Sequence, residues 1–568
     1  MKSYGKVDEL DQASLEARRK TRKRFTIVGL STLVLAAIIV GAVVGTSQGR
    51  SKSKDGSEAQ PLSTSVKAIC KSTLYPDSCF SSLSPLTNSS TRIDPVNLFM
   101  LSMEVALNEL YHVSEKVSSL KGVAADKMAS AAVADCQELL GLAMDNLNDS
   151  LSTNIDLAPP EDVLDDLKTW LSAAMTAQQT CIDGLIDSAS AELKEEVTEL
   201  LKNSTEFTSN SLAIITGISN AINSIKLRRL MSHDSSSSLY PAWLSSGDRK
   251  LLQSSDLRAK ADIVVAQDGS GKYKTIRAAL SKVPKKNKKR FVIYVKKGTY
   301  YENVLVDKNM WNVMMGGDGM AATVISGRLN VVDGTPTFQS ATFAVKGKGF
   351  IARDMGFRNT AGPQKHQAVA LMSTADQSVF YRCRMDAFQD TLYTHSNRQF
   401  YRDCNIYGTV DFIFGNAAVV LQNCNILPKK PMPGQQDTIT AQGKIDPNQN
   451  TGIVIQNCTV WASGDLTNVR VYLGRPWKPY STTVFVQSVL GGLIDPTGWM
   501  PWTGNSAPDT IFYAEFGNYG PGAKTDKRVK WKGLRMISRQ QAEKFTVGPF
   551  IGGKKWISKT GVPFKSGL

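Results

Sequence analysis

Two aspartates, Asp390 and Asp411, lie 21 residues apart, and two glutamines, Gln367 and Gln389, lie 22 apart. Both aspartates sit in apolar or aromatic surroundings, AFQDTLY and TVDFIFG. If each step is one turn of a coiled chain, the two carboxylates come ~5 Å apart on neighbouring strands. Carboxylates that close in a partly dry groove do not both ionise readily. One is pushed towards the neutral acid while the other stays charged, and they titrate as a pair. Such a pair supplies a nucleophile and a general acid/base from one residue type. Glutamine amides beside it can donate hydrogen bonds to an oxyanion developing during acyl transfer. Arg475, in YLGRPW, can orient the ionised aspartate, and Trp477 in the same run offers a flat ring to a sugar. An aspartate in such a turn is also a common turn former, so spacing alone leaves both readings open.

The elements that would position these residues are short strands. Residues 258–568 are rich in Val, Ile, Phe and Tyr between Gly, Asn and Asp, and FVIYV (291–295), TVIS (323–326), TFAV (342–345) and AVVLQ (418–422) read as strands. FYRC (380–383), YRDC (401–404), LQNC (421–424) and IQNC (455–458) form a weak repeat with first steps of 21 and 20 residues. A period near 20 without intervening helices points to a parallel β-helix, an all-β solenoid; an antiparallel β-sandwich is the other way to use such strands. In the solenoid, Cys383 and Cys404 stack within the Cα separation a disulfide accepts and form the expected pair. Cys404 and Cys424 compete for the same neighbour, so the partners of Cys424 and Cys458 stay open.

The whole chain has 568 residues and a net charge of +16. Its composition is globular, which excludes a disordered, collagen-like or polytopic membrane protein. The charge suggests a polyanion: nucleic acid, an anionic membrane or an acidic polysaccharide. It is unevenly spread, with residues 59–225 at net −13 and residues 258–568 at net +22. Residues 1–24 form a basic tail read as cytoplasmic, and 25–45 run without a charge. As a helix, that run is long enough to span a bilayer, as a signal anchor or an unusually long signal peptide. The basic flank keeps the N-terminus cytoplasmic and translocates the rest, which removes nucleic acid from the partners and makes the membrane one before processing. Sequons at Asn88, Asn148, Asn203 and Asn457 would then meet the glycosylation machinery. Eight cysteines without a CxxC pair, beside four histidines, favour disulfides over a metal site, and none is expected.

Residues 59–225 are rich in Ala, Leu, Ser, Glu and Asp and poor in Gly and aromatics, which reads as helix. Leu193, Val197, Leu200 and Leu201 keep a spacing near 3.6, and Pro159 and Pro160 separate two helices. An up-down helical bundle follows, with its carboxylates read most simply as a solvated face. Residues 226–257 are Ser-rich and read as an exposed linker carrying two dibasic pairs, Arg228–Arg229 and Arg249–Lys250, which suit a processing protease.

GSGK (269–272) lacks the Ser or Thr and the spaced first Gly of a phosphate loop, and residues 258–568 have no G-x-S-x-G elbow. His366 and His395 lack an obvious Ser partner and read as structural or substrate-adjacent. KKNKKR (285–290) reads as a solvated loop or a contact for an acidic polysaccharide rather than a nucleic-acid signal.

Two resemblances cover most of the chain. ICKSTLYPDSCFSSL, with Cys70 and Cys79, resembles the start of the plant invertase and pectin methylesterase inhibitor family. That resemblance implies an all-α four-helix bundle with a helical N-terminal extension and disulfides Cys70–Cys79 and Cys136–Cys181. DGSGKYKTI (268–276), GTYYEN, QAVA, QDTL, DFIFG and LGRPW, in order, resemble the signature blocks of pectin methylesterases. The fold implied for 258–568 is a right-handed parallel β-helix. The activity implied is hydrolysis of C6 methyl esters of homogalacturonan in the cell wall, without a cofactor. Asp411 is then the nucleophile, Asp390 the proton donor and general base, and Gln389 and Gln367 the oxyanion donors. Arg475 holds Asp411, and Thr337, Gln367, Arg475 and Trp477 bind substrate. The implied partners are pectin, the chain's own inhibitor-like region and free inhibitor proteins. A polygalacturonase or lyase on the same β-helix, or a catalytically silent wall-binding or inhibitor protein, are the alternatives. Both depolymerases are disfavoured by the lack of a larger Asp cluster, and the silent protein by the intact site residues.

Overall fold

The computed structural model describes residues 62–87, 94–120, 127–155, 159–186, 191–230 and 257–568. Its contacts divide the chain into two compact units. One comprises residues 1–113, 147–171 and 201–236, and the other residues 114–146, 172–200 and 237–568. The expected membrane segment 25–45, most of the Ser-rich linker with Arg249 and Lys250, and Asn88 lie outside the described residues. Among the described residues no helix is long and apolar enough to cross a membrane.

The helical region contains two short helices, α1 (Leu62–Cys70) and α2 (Pro76–Leu83), and four long ones: α3 (Pro95–Ser119), α4 (Lys127–Leu151), α5 (Glu161–Ile186) and α6 (Ala191–Leu230). Proline at the first position of α2 and α3 fits a site whose N–H has no helical partner. Glu161 and Asp162 in the first turn of α5 complement its dipole. Leu193, Val197 and Leu201 are buried as their spacing predicts. The bonds Cys70–Cys79 and Cys136–Cys181 are both formed, with Cα separations of 5.5 and 4.4 Å. α6 runs on to Leu230, so the start of the expected linker, with Arg228 and Arg229, is helical. The run from Lys226 to Leu230 consists only of Lys, Leu and Arg, all strong helix formers, where the serine content of the wider segment suggested coil.

Residues 257–568 form three parallel sheets of eleven, seven and eight strands, one strand of most turns in each. The period near 20 is therefore one β-helix turn, as in the register Phe380↔Tyr401, Tyr401↔Leu421 and Leu421↔Ile455. The Cys repeat also has a local cause. Arg382, Asp403, Asn423 and Asn457 each adopt a positive φ, between 51° and 56°, and make a one-residue bend between two sheets. Asp and Asn tolerate that conformation better than most residues. The cysteine after each bend points inwards, and Cys383, Cys404, Cys424 and Cys458 are buried in the core.

The expected Cys383–Cys404 disulfide is not formed: these two, with Cys424 and Cys458, are free thiols. Parallel strands in register set successive Cβ–Sγ bonds side by side, whereas a disulfide needs a dihedral near 90° between them. The thiols instead donate to backbone carbonyls, Cys404 to Phe380 O at 3.3 Å and Cys458 to Leu421 O at 3.3 Å. Stacked rings share this interior, with Phe380 and Tyr401 centroids 4.8 Å apart. Each fully buried ring contributes ~1.5–3 kcal/mol through burial.

Candidate active site

The seven-stranded sheet builds the site. Its strands run in the order Val304–Val306, Phe343–Val345, Leu371–Ser373, Leu392–Thr394, Ile413–Gly415, Asp437–Gln442 and Val471–Pro476. Leu392 pairs with Ile413, so Asp390 and Asp411, each two residues upstream, occupy equivalent places on adjacent turns. The Asp390 N–H donates to Val410 O at 3.1 Å, which ties the two turns together. Both residues have positive φ, 61° and 49°, and both are buried. The Ala368 N–H donates to Gln389 O, so Gln367 sits one residue off the register of Gln389. This offset explains the step of 22 beside the step of 21.

Asp411 is clamped. Arg475 Nε lies 2.8 Å from its Oδ1 and Nη2 lies 2.6 Å from its Oδ2. The Thr438 hydroxyl donates to Oδ1 at 2.6 Å and accepts from the Asp411 N–H at 2.8 Å. A two-pronged guanidinium contact of this kind fixes the plane of the carboxyl group and its aim. Burial opposes charge on Arg475, but Asp411 beside it raises the guanidinium above its ordinary value.

A cavity of about 420 Å³ opens over the pair, lined by Thr337, Gln367, Gln389, Asp390, Asp411, Arg475 and Trp477. All seven residues singled out from the sequence as catalytic or substrate-binding therefore meet in one place. Aromatic rings wall it in series. Tyr393 and Phe414 stack at 4.1 Å, Phe414 and Trp477 lie 6.2 Å apart, and Trp477 and Trp502 lie 6.4 Å apart. The Arg475 guanidinium sits 4.3 Å over the Trp502 ring. Sequence reasoning missed Thr438, Tyr393, Phe414 and Trp502. Tyr393 and Phe414 follow QDT and DFI by one or two residues, so the same step of 21 could have found them.

His395 is buried, its Nδ1 2.9 Å from Ser396 Oγ and its Nε2 3.0 Å from Thr180 Oγ1. Burial lowers it to about 3, so it is neutral and structural. His366 is exposed with φ 55°. Residues of α4 and α5 that belong to the same compact unit also line the cavity, among them Asp135, Leu139, Thr180 and Asp183. Asp135 accepts from Gln339 Nε2, and burial raises its carboxyl to about 7. Asp183 is only 13 % exposed and pairs with Lys478 at 2.6 Å. The carboxylates of the helical region are thus not all the solvated face that composition suggested. Among the described residues, no group of three His, Cys, Asp or Glu side chains is placed to hold a metal ion.

The family model described as Pectinesterase matches residues 262–554, and that of the plant invertase/pectin methylesterase inhibitor matches residues 64–214. Pectinesterase 3 of Phaseolus vulgaris is 49 % identical, covering 100 % of this chain and 99 % of its own. Pectinesterase 1 of Arabidopsis thaliana is 47 % identical, over 99 % of this chain and 98 % of its own. The solved pectin methylesterase from carrot is 53 % identical, covering 54 % of this chain and 98 % of its own, with a TM-score of 0.54. With the clamp, turn pair and aromatic wall carried on a parallel β-helix, the chain belongs to the pectinesterase family, preceded in the same polypeptide by an inhibitor-family helical region.

Proposed function

We propose that this enzyme, a carboxylic ester hydrolase, removes the C6 methyl esters of homogalacturonan in the cell wall through a covalent acyl-enzyme on Asp411. The observation that carries the reading is the aspartate pair on adjacent turns, one member of which is held by Arg475 and Thr438. A carboxylate fixed in that way is aimed and charged, as a nucleophile needs to be. Asp411 attacks the ester carbonyl, and the oxyanion of the tetrahedral intermediate accepts hydrogen bonds from the Gln389 and Gln367 amides. Collapse expels the methoxy group, which takes a proton from Asp390 and leaves as methanol. Asp390, now a carboxylate, takes a proton from water, whose oxygen attacks the acyl carbon. Asp411 is released, leaving a uronate and a reprotonated Asp390. Thr337 and the Trp477 ring hold the sugars on either side.

The finer reading of the precursor rests on its sequence. Residues 25–45 anchor or direct the chain to the secretory pathway, and Asn88, Asn148, Asn203 and Asn457 carry glycans; Asn148, Asn203 and Asn457 are exposed. A protease cuts at Arg228–Arg229 or Arg249–Lys250 and frees the β-helix from its inhibitor-like region.

Asp411→Asn and Asp390→Asn should each lower methanol release from methylated pectin by about 10³-fold or more at unchanged polymer length. Near-parental release from either variant refutes the covalent mechanism, and loss of polymer length by the parent enzyme refutes ester hydrolysis as the reaction.

A further inference from the structure

The turn from Ala387 to Thr391 carries Gln389 and Asp390. It joins the strand Arg384–Asp386 of the eight-stranded sheet to Leu392–Thr394 of the site sheet. The aim of both side chains depends on where that backbone lies. Gln389 O accepts from the Ala368 N–H at 3.3 Å, and Phe388 O accepts from the Thr409 N–H at 2.9 Å. Neighbouring turns on either side therefore fix these two carbonyls. Ala387 O accepts instead from a side chain, Lys429 Nζ, at 2.9 Å.

Lys429 reaches this oxygen from afar. It follows the strand Asn425–Pro428, and the registers Asp386↔Tyr407 and Tyr407↔Leu427 place that strand two turns from Arg384–Asp386. At ~4.8 Å per turn the span is roughly 10 Å, which only a long side chain covers. The Lys429 N–H donates to Gly408 O at 2.8 Å and roots the residue on the intervening turn. Its ammonium also lies 3.1 Å from Asp386 Oδ1 and 3.6 Å from the centre of the Phe388 ring. One cation thus touches three consecutive residues, Asp386, Ala387 and Phe388, immediately ahead of Gln389.

Charge balance alone does not account for this lysine. Asp386 already has Arg384 Nη2 at 2.7 Å and Arg358 Nε at 3.6 Å. The Lys429 side chain is only 20 % exposed, and burial lowers its ammonium below the ordinary value despite Asp386 beside it. A third cation at so unfavourable a place adds little to the pairing of one carboxylate. Its bond to Ala387 O is different in kind: a charge-assisted contact that holds the backbone of the turn. We propose that Lys429 is a positioning residue for ester hydrolysis. Through Ala387 O and the Phe388 ring it sets the turn from which Gln389 meets the oxyanion and Asp390 meets the leaving methoxy group. Lys429 is not among the residues that line the cavity, so it acts through the turn and not on the sugar. This inference rests on the roles proposed above for Gln389 and Asp390.

The test uses the full chain and follows methanol release from methylated pectin. K429M keeps the aliphatic stem and loses the ammonium, while Arg384 and Arg358 stay on Asp386. Its kcat should fall ~10–100-fold with KM within about twofold of the parent, because misplaced reacting groups slow the chemical step more than they weaken binding. K429R, which still donates to Ala387 O, should recover most of the loss. R358M removes a cation from Asp386 without touching the turn, and its kcat should stay within about twofold of the parent. On a Gln389→Ala background K429M should lower kcat several-fold less than in the parent, since one of the groups it aims is gone, whereas a loss of folded enzyme carries over in full. K429Q, shorter and uncharged, takes the place of K429M if that variant does not fold. An unchanged kcat, no recovery in K429R, an equal fall in R358M or an undiminished effect beside Gln389→Ala overturns the positioning role, and methanol release by the parent then leaves the esterase standing. A parent that releases no methanol, or a Gln389→Ala variant with parental kcat, refutes the reading beneath the role and the role with it.

Discussion

Asp411 is accommodated at a buried position because its environment supplies what water would: two guanidinium contacts and one hydroxyl. Most of this was legible in the sequence, since Asp390, Asp411, Gln389, Arg475 and Trp477 each sit in a run of distinctive composition. Thr438 was not, because the turn from Asp411 to Thr438 is 27 residues long and breaks the step of 20 or 21 that located the others. Its neighbour Asp437 was equally hidden and has a different consequence. The Asp437 carboxyl is buried, neither of its oxygens has a hydrogen-bond partner, and burial raises it from 3.8 to about 8. The unfolded chain gives up this proton near pH 4, while the folded chain keeps it until about pH 8. Rising pH across that window therefore favours unfolding. Asp437→Asn removes the titration at almost constant shape. Its Tm should match the parent's at about pH 4 and exceed it increasingly towards pH 8. A difference in Tm that does not vary with pH would show that Asp437 is not stored as the neutral acid.

At the scale of elements, one bent residue per turn turns a strand repeat into a solenoid. The xxxC pattern, read in the sequence as a period alone, coincides with these bends: the residue ahead of each cysteine takes the left-handed conformation and the cysteine falls inside. The same geometry explains why the stacking was legible while the bonding was not. Sequence spacing reports which residues are neighbours across turns, but not the torsion between their side chains. The column therefore consists of four thiols, Cys383, Cys404, Cys424 and Cys458, and burial pushes those of Cys404 and Cys458 well up. A thiol reagent should find no reactive group among these four in the native protein and all four after unfolding in denaturant without reductant, while Cys70–Cys79 and Cys136–Cys181 stay closed. Fewer than four equivalents after unfolding would mean that the column contains a disulfide. The helical boundary was read less well: serine content placed the linker at residue 226, but α6 continues to Leu230 because its helix-forming residues outlast the change in composition.

For the whole molecule, the net charge of +16 conceals 42 basic against 20 acidic residues in 258–568 and 9 against 22 in 59–225. The basic half acts on a polymer that becomes more anionic with every ester removed. Each turnover leaves a new carboxylate beside the enzyme, so attraction to the product grows as the reaction proceeds along one chain. Dissociation then competes less well with a step to the next ester, and runs of consecutive free acids follow. The attraction is between solvent-exposed charges and is screened over ~10 Å at 0.1 M salt and ~3 Å at 1 M. Methylated pectin treated to the same total methanol release at about 0.05 M and at about 0.5 M salt should therefore differ in pattern, with long free-acid blocks at low salt and short ones at high salt. The block-length distribution, read by NMR of the treated polymer, decides the matter. Equal distributions at the two salt concentrations would mean that the charge of the β-helix sets solubility or wall retention and has no part in consecutive attack.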